Sequence, residues 1–289
     1  RAMSRLYETV TEKIVESLRR GVVPWRKPWK DAHALPINLA SGKAYRGINV
    51  FLLGLAPYSD HRWMTFKQVQ ERGGKVKQGE KGTLVVFWKQ LEFEEIDEST
   101  GEICKRRTPM LRYFTVFNAE QIEGIELASP YDSPPLEESA RIERAELLVS
   151  SMPDPPSIHP KARSAYYIPS KDEVHMPAFE RFSSGDHYYG TLFHELAHAS
   201  GHEKRLNRKG VTEVVRFGSN DYSREELVAE LTSAFCCATV GLDNSLSDDS
   251  ASYISGWLKV LGDDPKAVVI AAAQAQKAAD YIKGVTYDS

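Results

Sequence analysis

The chain has 289 residues, of which 42% are hydrophobic and 27% are charged, and its formal net charge at pH 7 is −3. Its apolar stretches are all shorter than the roughly 20 residues that a membrane-spanning helix needs, so no membrane partner is expected. Three cysteines, without a Cys-x-x-Cys pair or a secretory signal, exclude a disulfide framework and predict a protein of the reducing cytoplasm.

Charge and composition both change along the chain. Residues 1–126 hold 21 Lys and Arg against 16 Asp and Glu, whereas residues 127–289 hold 16 against 24. Between them, residues 128–135 are rich in proline and turn-forming residues. We therefore predict an α+β protein with a basic domain over 1–126, a linker over 127–137 and a second domain over 138–289.

The first half is predicted to combine a helix with a sheet. Apolar residues recur at helical spacing over residues 5–20, and Gly21 follows as a helix end. Runs of β-branched and aromatic residues at 82–88 and 111–118 predict strands. The acidic stretch 92–102 between them is expected to be a hairpin tip or a loop.

Basic residues alternate with aromatic residues in this half. Residues 13–90 hold 15 basic residues against five acidic ones. Such pairs bind single-stranded nucleic acid, because cations lie along the phosphates while aromatic rings stack on unpaired bases. Packing in a core is the alternative for the rings, above all for Trp63 and Phe66. The predicted binding residues are Trp25, Arg26, Lys27, Trp29, Lys30, Lys43, Tyr45, Arg46, Lys67, Lys75, Lys77 and Lys81.

The second half contains the sequence His194-Glu195-Leu196-Ala197-His198. Residues four apart share one face of a helix, so the two imidazoles can bind one metal ion. Glu195 would then take a proton from a metal-bound water and pass it to a leaving amine. Position 204, where a metzincin has its third histidine, is Lys204, so the third ligand must come from elsewhere.

A downstream helix over residues 222–235 offers carboxylates for this third position. The spacing of Glu226 and Glu230 resembles that of gluzincin-type peptidases, in which the first carboxylate binds the metal and the second orients a ligand histidine. We assign Glu226 as the ligand and Glu230 to the orienting role, with the reverse assignment left open. Glu225 is expected to be solvated. Two imidazoles and one carboxylate favour zinc, and manganese is the alternative.

Further residues are predicted to border a cleft at this site. A hairpin over 164–168 and 173–177 is a candidate cleft wall. His187 and Tyr188 are candidates for stabilising a developing negative charge, and His202 is a candidate for the cleft lining.

The whole pattern resembles the plasmid antirestriction proteins of the ArdC type. The motifs that carry the resemblance are the segments 24–29, 45–49, 63–68, 194–202, 205–206 and 225–230. The resemblance implies an N-terminal domain that binds single-stranded DNA, and double-stranded DNA more weakly, joined to a zincin-like metallopeptidase domain. It also implies a role in protecting plasmid DNA that enters a host by conjugation.

Two other functions remain open at this point. The protein could be a metallopeptidase that acts on a host protein, with the basic domain as its recruitment module. It could also be a non-catalytic DNA-binding protein with a structural metal site.

Overall fold

The computed structural model describes residues 2–26, 35–97, 99–130, 134–213, 218–245 and 250–285. Its helices are α1 (Ala2–Arg19), α2 (Ile48–Gly54), α3 (Phe66–Glu71), α4 (Glu138–Ser150), α5 (Gly185–Ser200), α6 (Lys209–Thr212), α7 (Asn220–Val240), α8 (Ser250–Asp263) and α9 (Ala267–Ile282). Its strands are β1 (Ile37–Asn38), β2 (Arg62–Thr65), β3 (Lys75–Val76), β4 (Thr83–Ile96), β5 (Ile103–Asn118), β6 (Ile122–Glu123), β7 (Ser157–His159), β8 (Tyr166–Ile168) and β9 (Glu173–His175). The mixed α and β content agrees with the predicted fold class.

The predicted N-terminal helix is α1, which is amphipathic. Val10, Ile14 and Leu18 recur at intervals of four residues, and all three are buried. Gly21 follows the helix with φ 76°, the left-handed conformation that commonly ends a helix.

The larger N-terminal sheet has the strand order β1-β2-β5-β4. Strands β4 and β5 form one long antiparallel hairpin, in which Thr83 lies opposite Val116 and Ile96 lies opposite Ile103. The strands predicted at 82–88 and 111–118 are therefore confirmed. Residues 92–96 of the acidic stretch belong to β4, where Glu92 forms an ion pair with Arg107 of β5, whereas the described residues of 97–102 form the predicted hairpin tip.

In the second half, α5 packs side by side with α7. The hydroxyl of Ser233 on α7 donates to the carbonyl oxygen of Gly190 on α5 over 2.8 Å. A Cβ atom at Gly190 would lie 3.7 Å from the sulfur of Cys237, which is ordinary van der Waals contact, so the two helices are closely packed here. The close approach brings the functional faces of both helices together.

The predicted hairpin beside α5 is also present. Strands β8 and β9 pair antiparallel, and β7 pairs parallel with β9, which leaves β8 at an edge of this three-stranded sheet. The turn between β8 and β9 is closed by Asp172, whose φ is 54°. The Asp172 carboxylate accepts two hydrogen bonds from Arg205, 2.7 and 2.8 Å long, and this pair ties the hairpin to the loop after α5.

One hydrophobic core joins the two halves of the chain. Helix α1 packs against α8 and α9, and the hydroxyl of Thr11 donates to the carbonyl oxygen of Pro265. The ring of Trp25 is fully buried, 6.2 Å from the ring of Phe51 and 5.0 Å from that of Trp257. The predicted boundaries at 126 and 138 thus separate two regions that share a core. Among the helices in the described ranges, none has the length and apolar character needed to cross a bilayer.

Candidate metal centre

Helix α5 places two imidazoles on one face. His194 and His198 lie four residues apart, and their Nε2 atoms are 3.2 Å from each other. The helix begins at Ser184, whose hydroxyl accepts a hydrogen bond from the backbone N–H of His187. Two ring nitrogen atoms therefore converge on one point beside the helix.

Glu226 of α7 supplies the third atom at this point. One carboxylate oxygen lies 3.4 Å from the Nε2 of His194, and the other lies 3.4 Å from the Nε2 of His198. A tetrahedral ion with bonds of 2.0–2.1 Å holds its ligand atoms about 3.3 Å apart. These three side chains, which are the metal-binding group found among the described residues, offer ligand atoms within 4.8 Å of one another and so converge closely enough to share such an ion.

Each histidine also meets a carboxylate at its other ring nitrogen. The Nδ1 of His198 lies 3.2 Å from Glu225, and the Nδ1 of His194 lies 3.6 Å from Glu230. A carboxylate at Nδ1 fixes the tautomer that leaves Nε2 free to bind a metal. Glu230 lies on the Nδ1 side of His194 but farther away than a hydrogen bond, so its orienting role stays a prediction. The expectation that Glu225 is solvated is wrong, because Glu225 is buried against His198.

Arg208 explains how Glu225 is buried with its charge. Its guanidinium donates to both carboxylate oxygens of Glu225, over 2.7 and 3.1 Å, and also to the carbonyl oxygen of Ala197. To reach Glu225, the guanidinium passes over Gly201, the residue that directly follows α5. A Cβ atom at Gly201 would lie 2.9 Å from the Cζ of Arg208, so this position requires a glycine for close approach.

The electrostatic environment of the histidines favours a bound cation. Burial lowers the pKa of His198, but hydrogen bonds to Glu225 and Glu226 outweigh burial and raise it to about 10. Burial raises the pKa of Glu226, but hydrogen bonds from His194 and His198 outweigh burial and lower it. Carboxylates outnumber imidazoles in this cluster, so positive charge is stabilised at its centre. A divalent ion meets this requirement with the same donor atoms.

Glu195 opens onto a pocket beside the histidines. The pocket has a volume of about 290 Å³ and is also lined by His187 and His194 of α5 and by Glu230 of α7. Glu195 is itself largely buried. The predicted proton acceptor and one predicted cleft residue, His187, therefore border the same space.

The first half of the chain contributes Arg26 to this pocket. Its guanidinium lies 3.3 Å from the carboxylate of Glu230 and packs over the rings of Tyr253 and Trp257, at 5.6 and 5.4 Å. Arg26 and Trp25 were predicted to bind DNA. Both predictions are wrong, because both side chains are buried between the two halves rather than exposed to a ligand.

The edge strand β8 reaches the same pocket. Ala165, directly before β8, lines it together with residues of α5. Because β8 is an edge strand, it is free to pair with an extended peptide. This placement matches the predicted cleft wall.

Tyr222 is a site residue that the sequence reasoning missed. Burial raises the pKa of Tyr222, and the negative charge of Glu226 and a hydrogen bond with it raise this pKa further, to about 12. The Tyr222 hydroxyl therefore stays protonated at neutral pH. Tyr222 lies four residues before Glu226 on α7, the same spacing that relates the two histidines of α5. That spacing was the signal available in the sequence.

Two other predicted cleft residues lie elsewhere. Tyr188 packs among aromatic rings, 5.1 Å from each of Phe179, Phe182 and Tyr189, because its position on α5 faces away from the metal-binding face. His202 follows the helix, and its Nδ1 accepts a hydrogen bond from the backbone N–H of Lys204. Neither residue lines the pocket beside the histidines.

The remaining predicted DNA-binding residues fall into three groups. Lys27, Trp29 and Lys30 lie outside the described residues. Tyr45 is half-buried, and Arg46 forms an ion pair with Asp280 that neutralises its charge. The exposed residues are Lys43, Lys67, Lys75, Lys77 and Lys81.

Two protein families match different parts of the chain, one on each side of the change in charge. Residues 4–117 match the family described as the N-terminal domain of anti-restriction factor ArdC, and residues 143–274 match the family described as zincin-like metallopeptidase. The two matches lie within the two predicted domains.

Two similar proteins have a length comparable to that of this chain. The metal-free crystal structure of antirestriction protein ArdC from plasmid R388 has 38% identity and a TM-score of 0.75, with 96% of both chains covered. A Mn(II)-bound structure of that protein has 37% identity and a TM-score of 0.76, with 96% of this chain and 97% of that chain covered. The uncharacterized protein y4eC of Sinorhizobium fredii (strain NBRC 101917 / NGR234) is 39% identical over 294 residues, which cover 98% of this chain and 93% of y4eC.

A longer relative contains the same region. DNA primase TraC of Escherichia coli is 36% identical over 296 residues. The match covers 96% of this chain but only 27% of TraC, so the chain spans about a quarter of that protein.

Proposed function

Because the chain belongs to the ArdC family of antirestriction proteins, we propose that it binds single-stranded DNA and protects plasmid DNA that enters a host by conjugation. We further propose that its second half is a metal-dependent peptidase. The observation that carries the peptidase proposal is the triangle of His194, His198 and Glu226 with Glu195 beside it.

The donor set indicates which residues would hold the metal and which would serve the reaction. His194, His198 and Glu226 would hold a zinc ion, with manganese as the alternative, and the bound ion would lower the pKa of a water toward about 7. Glu195 would accept the proton of that water and transfer it to the leaving amine.

The surrounding residues would position these groups and the substrate. Glu225 and Glu230 would fix the orientation of the two imidazoles. The Tyr222 hydroxyl, protonated at neutral pH, would donate a hydrogen bond to a developing negative charge. A peptide substrate would pair with β8 and extend into the pocket.

The DNA-binding proposal rests on the charge of the first half and on the family. The exposed lysines 43, 67, 75, 77 and 81 can approach phosphates, because none of them is buried in the shared core. Protection against restriction would follow if bound protein hinders a host nuclease on the incoming strand.

Peptidase activity is tested with the variant Glu195→Gln. An unfolded protein such as casein is incubated with the zinc- or manganese-loaded enzyme, in the presence and absence of single-stranded DNA. The variant should keep its metal and lose cleavage, whereas Glu203→Gln, an exposed residue beyond the helix, should cleave like the wild type. Equal cleavage by wild type and Glu195→Gln, or none by the wild type with either metal, would reject the peptidase proposal.

DNA binding is tested by fluorescence anisotropy with labelled single- and double-stranded oligonucleotides. Affinity should be higher for the single strand and should fall as salt rises from about 50 to 200 mM. The protective role is tested by conjugating a plasmid that carries restriction sites into a restricting recipient, with and without the protein. Absence of DNA binding at low salt would contradict the first proposal, and equal transfer in both crosses would contradict the second.

A further inference from the structure

The long β4–β5 hairpin extends well beyond the rest of its sheet. Strand β2 pairs with β5 only over residues 116–118, so the hairpin from Leu84 and Thr115 outward is a two-stranded ribbon. At about 3.3 Å per residue, the stretch from Phe87 to Phe93 alone spans about 20 Å. Such a ribbon has two faces, and each can be assigned from the strand register.

Helix α1 covers one of the two faces. Trp88 and Leu111 lie opposite each other on this face; Leu111 is buried in the main core, and the ring of Trp88 packs 6.1 Å from that of Tyr7 on α1. Farther out, this covered face has acidic residues opposite basic ones, such as Glu92 with Arg107 at 2.8 Å. Its charges are therefore balanced.

The other face carries a different set of side chains. We call it the open face; its aromatic and cationic residues are Phe87, Lys89, Phe93, Arg106, Arg112 and Phe114, and Leu91, Glu95, Cys104, Thr108 and Met110 lie between them. Across the two strands, Phe87 lies opposite Arg112 and Phe93 lies opposite Arg106, so a ring is paired with a cation at two places on this face. All of these aromatic and cationic side chains except the half-buried Phe87 are exposed.

Two features of the open face fit a nucleic acid strand. The rings of Phe87 and Phe114 stack in parallel, with centroids 4.3 Å apart and planes 9° apart, and Phe114 remains 52% exposed. A ring that is stacked on one side and open on the other can extend its stack to an unpaired base. Arg112 lies beside this stack, opposite Phe87 in the register, where it can meet a phosphate.

The charge of the open face also differs from that of the covered face. Its three cations face one carboxylate, Glu95, which pairs with Arg106 at 3.4 Å. Within the described residues, no ion pair involves Lys89 or Arg112. Exposed rings beside unneutralised cations suit a polyanion with flat bases better than they suit an apolar protein surface.

We propose that the open face of the β4–β5 ribbon is the binding surface for single-stranded DNA, with a base stacked on Phe114 and a phosphate on Arg112. This inference rests on the proposed DNA-binding function and assigns it to residues that the sequence reasoning did not select. The strand would lie along the ribbon, with Lys89, Phe93 and Arg106 as its further contacts.

The experiment compares variants of the open face with matched variants of the covered face. The open-face variants are Phe114→Ala and Arg112→Gln; the matched controls are Tyr113→Ala, a neighbouring ring that is 61% exposed on the opposite face, and Arg107→Gln. Affinity for a labelled oligothymidylate is measured by anisotropy at several salt concentrations, and thermal unfolding checks that each variant is folded.

Phe114→Ala should raise Kd about 5-fold to 100-fold, the range that base stacking on one ring supports. Arg112→Gln should reduce the slope of log affinity against log salt by about 0.7, since one phosphate contact is lost. Phe114→Trp should keep the wild-type affinity, and both control variants should bind like the wild type. A 5-iodouracil oligonucleotide should crosslink to the peptide that contains Phe114.

Two contrary results have different meanings. If the wild type binds and the open-face variants bind equally well, or if open-face and control variants weaken binding alike, the open face is not the binding surface although DNA binding stands. If the wild type does not bind single-stranded DNA even at low salt, the open-face assignment and the proposed function both fail.

Discussion

The metal centre and the β4–β5 ribbon use charge in opposite ways. At the metal centre the charged groups are buried or half-buried, and Glu225 lies between two partners of opposite sign, His198 and Arg208. On the open face of the ribbon, Arg112 and Phe114 are exposed to solvent. A buried, fully paired site holds its groups rigidly for chemistry, whereas an exposed one leaves its charge available to a partner. Substitutions should therefore affect stability and metal binding in the first region, and DNA affinity in the second.

The largest effect is expected from removal of the third ligand. Glu226→Ala leaves only two imidazoles, so the metal content should fall from about one ion per chain to nearly none. Elemental analysis after gel filtration measures this content. DNA affinity should stay unchanged, and a parallel loss of DNA binding would show that the two regions are not independent.

Breaking the buried pair behind the histidines should destabilise the fold. Arg208→Met leaves the buried Glu225 with His198 as its one remaining partner among the described residues, and should lower the free energy of unfolding by about 3–5 kcal/mol. Urea unfolding measures this loss. The control is Arg224→Gln, which breaks an exposed pair with Asp264 and should cost less than about 1 kcal/mol. Similar losses in both variants would contradict the distinction between buried and exposed charge.

The pair of Asp172 and Arg205 adds a pH dependence. Burial raises the pKa of Asp172, but hydrogen bonds from Arg205 and Tyr167 outweigh burial and lower it. A depressed carboxyl pKa stabilises the fold above the unfolded-state pKa of about 3.9, and this stabilisation is lost as the pH falls through the folded-state pKa.

Asp172→Asn should therefore be less stable than the wild type by about 2 kcal/mol at pH 7, with a smaller difference below about pH 4. Unfolding curves across this pH range measure both quantities. A difference that does not change with pH would mean that the charge of Asp172 is not what stabilises the turn.

A smaller effect is expected where the first half of the chain meets the metal centre. Arg26→Gln releases Glu230, which in turn orients His194, so zinc affinity should fall about 10-fold. Competition with a chromogenic chelator measures this affinity. Glu230→Gln should have an effect of similar size, and the double variant should add little to either. Additive losses would mean that the two residues act separately.

The smallest effects are expected from single lysines on the basic surface. Each of Lys75→Gln and Lys81→Gln should leave stability unchanged and lower the salt slope of DNA affinity by at most about 0.7. Anisotropy titrations at several salt concentrations measure this slope. A loss larger than that of Phe114→Ala would move the main DNA contact from the ribbon to these lysines.

Local spacing made the metal centre the more predictable region. His194, Glu195 and His198 share one helical turn, and Glu226 lies on a helix whose length and period are visible in the sequence. Glu225 was placed wrongly because its burial depends on Arg208, which folds back from a loop beyond α5. The periodicity of the sequence does not show that a loop folds back against an earlier helix.

The DNA-binding residues were harder to predict because they depend on which surfaces the two halves cover. Trp25 and Arg26, flanked by prolines and lysines, have the composition of an exposed segment, yet they fill the contact between the halves. Phe114 and Tyr113 are adjacent on one strand, and only the position of α1 decides which of the two ribbon faces remains open. The open face is therefore set by tertiary packing, which the local sequence does not show.

The contact of α1 with α8 and α9 also sets a time constraint on folding in the cell. Within this chain, α1 is synthesised roughly 230 residues before α8 and α9, which pack against it. At about 5–20 residues per second, α1 waits on the order of ten seconds or more for these partners. Over that interval Val10, Ile14 and Leu18 lack the part of their core that α8 and α9 supply, so the nascent chain should be a client of chaperones that bind exposed apolar helices.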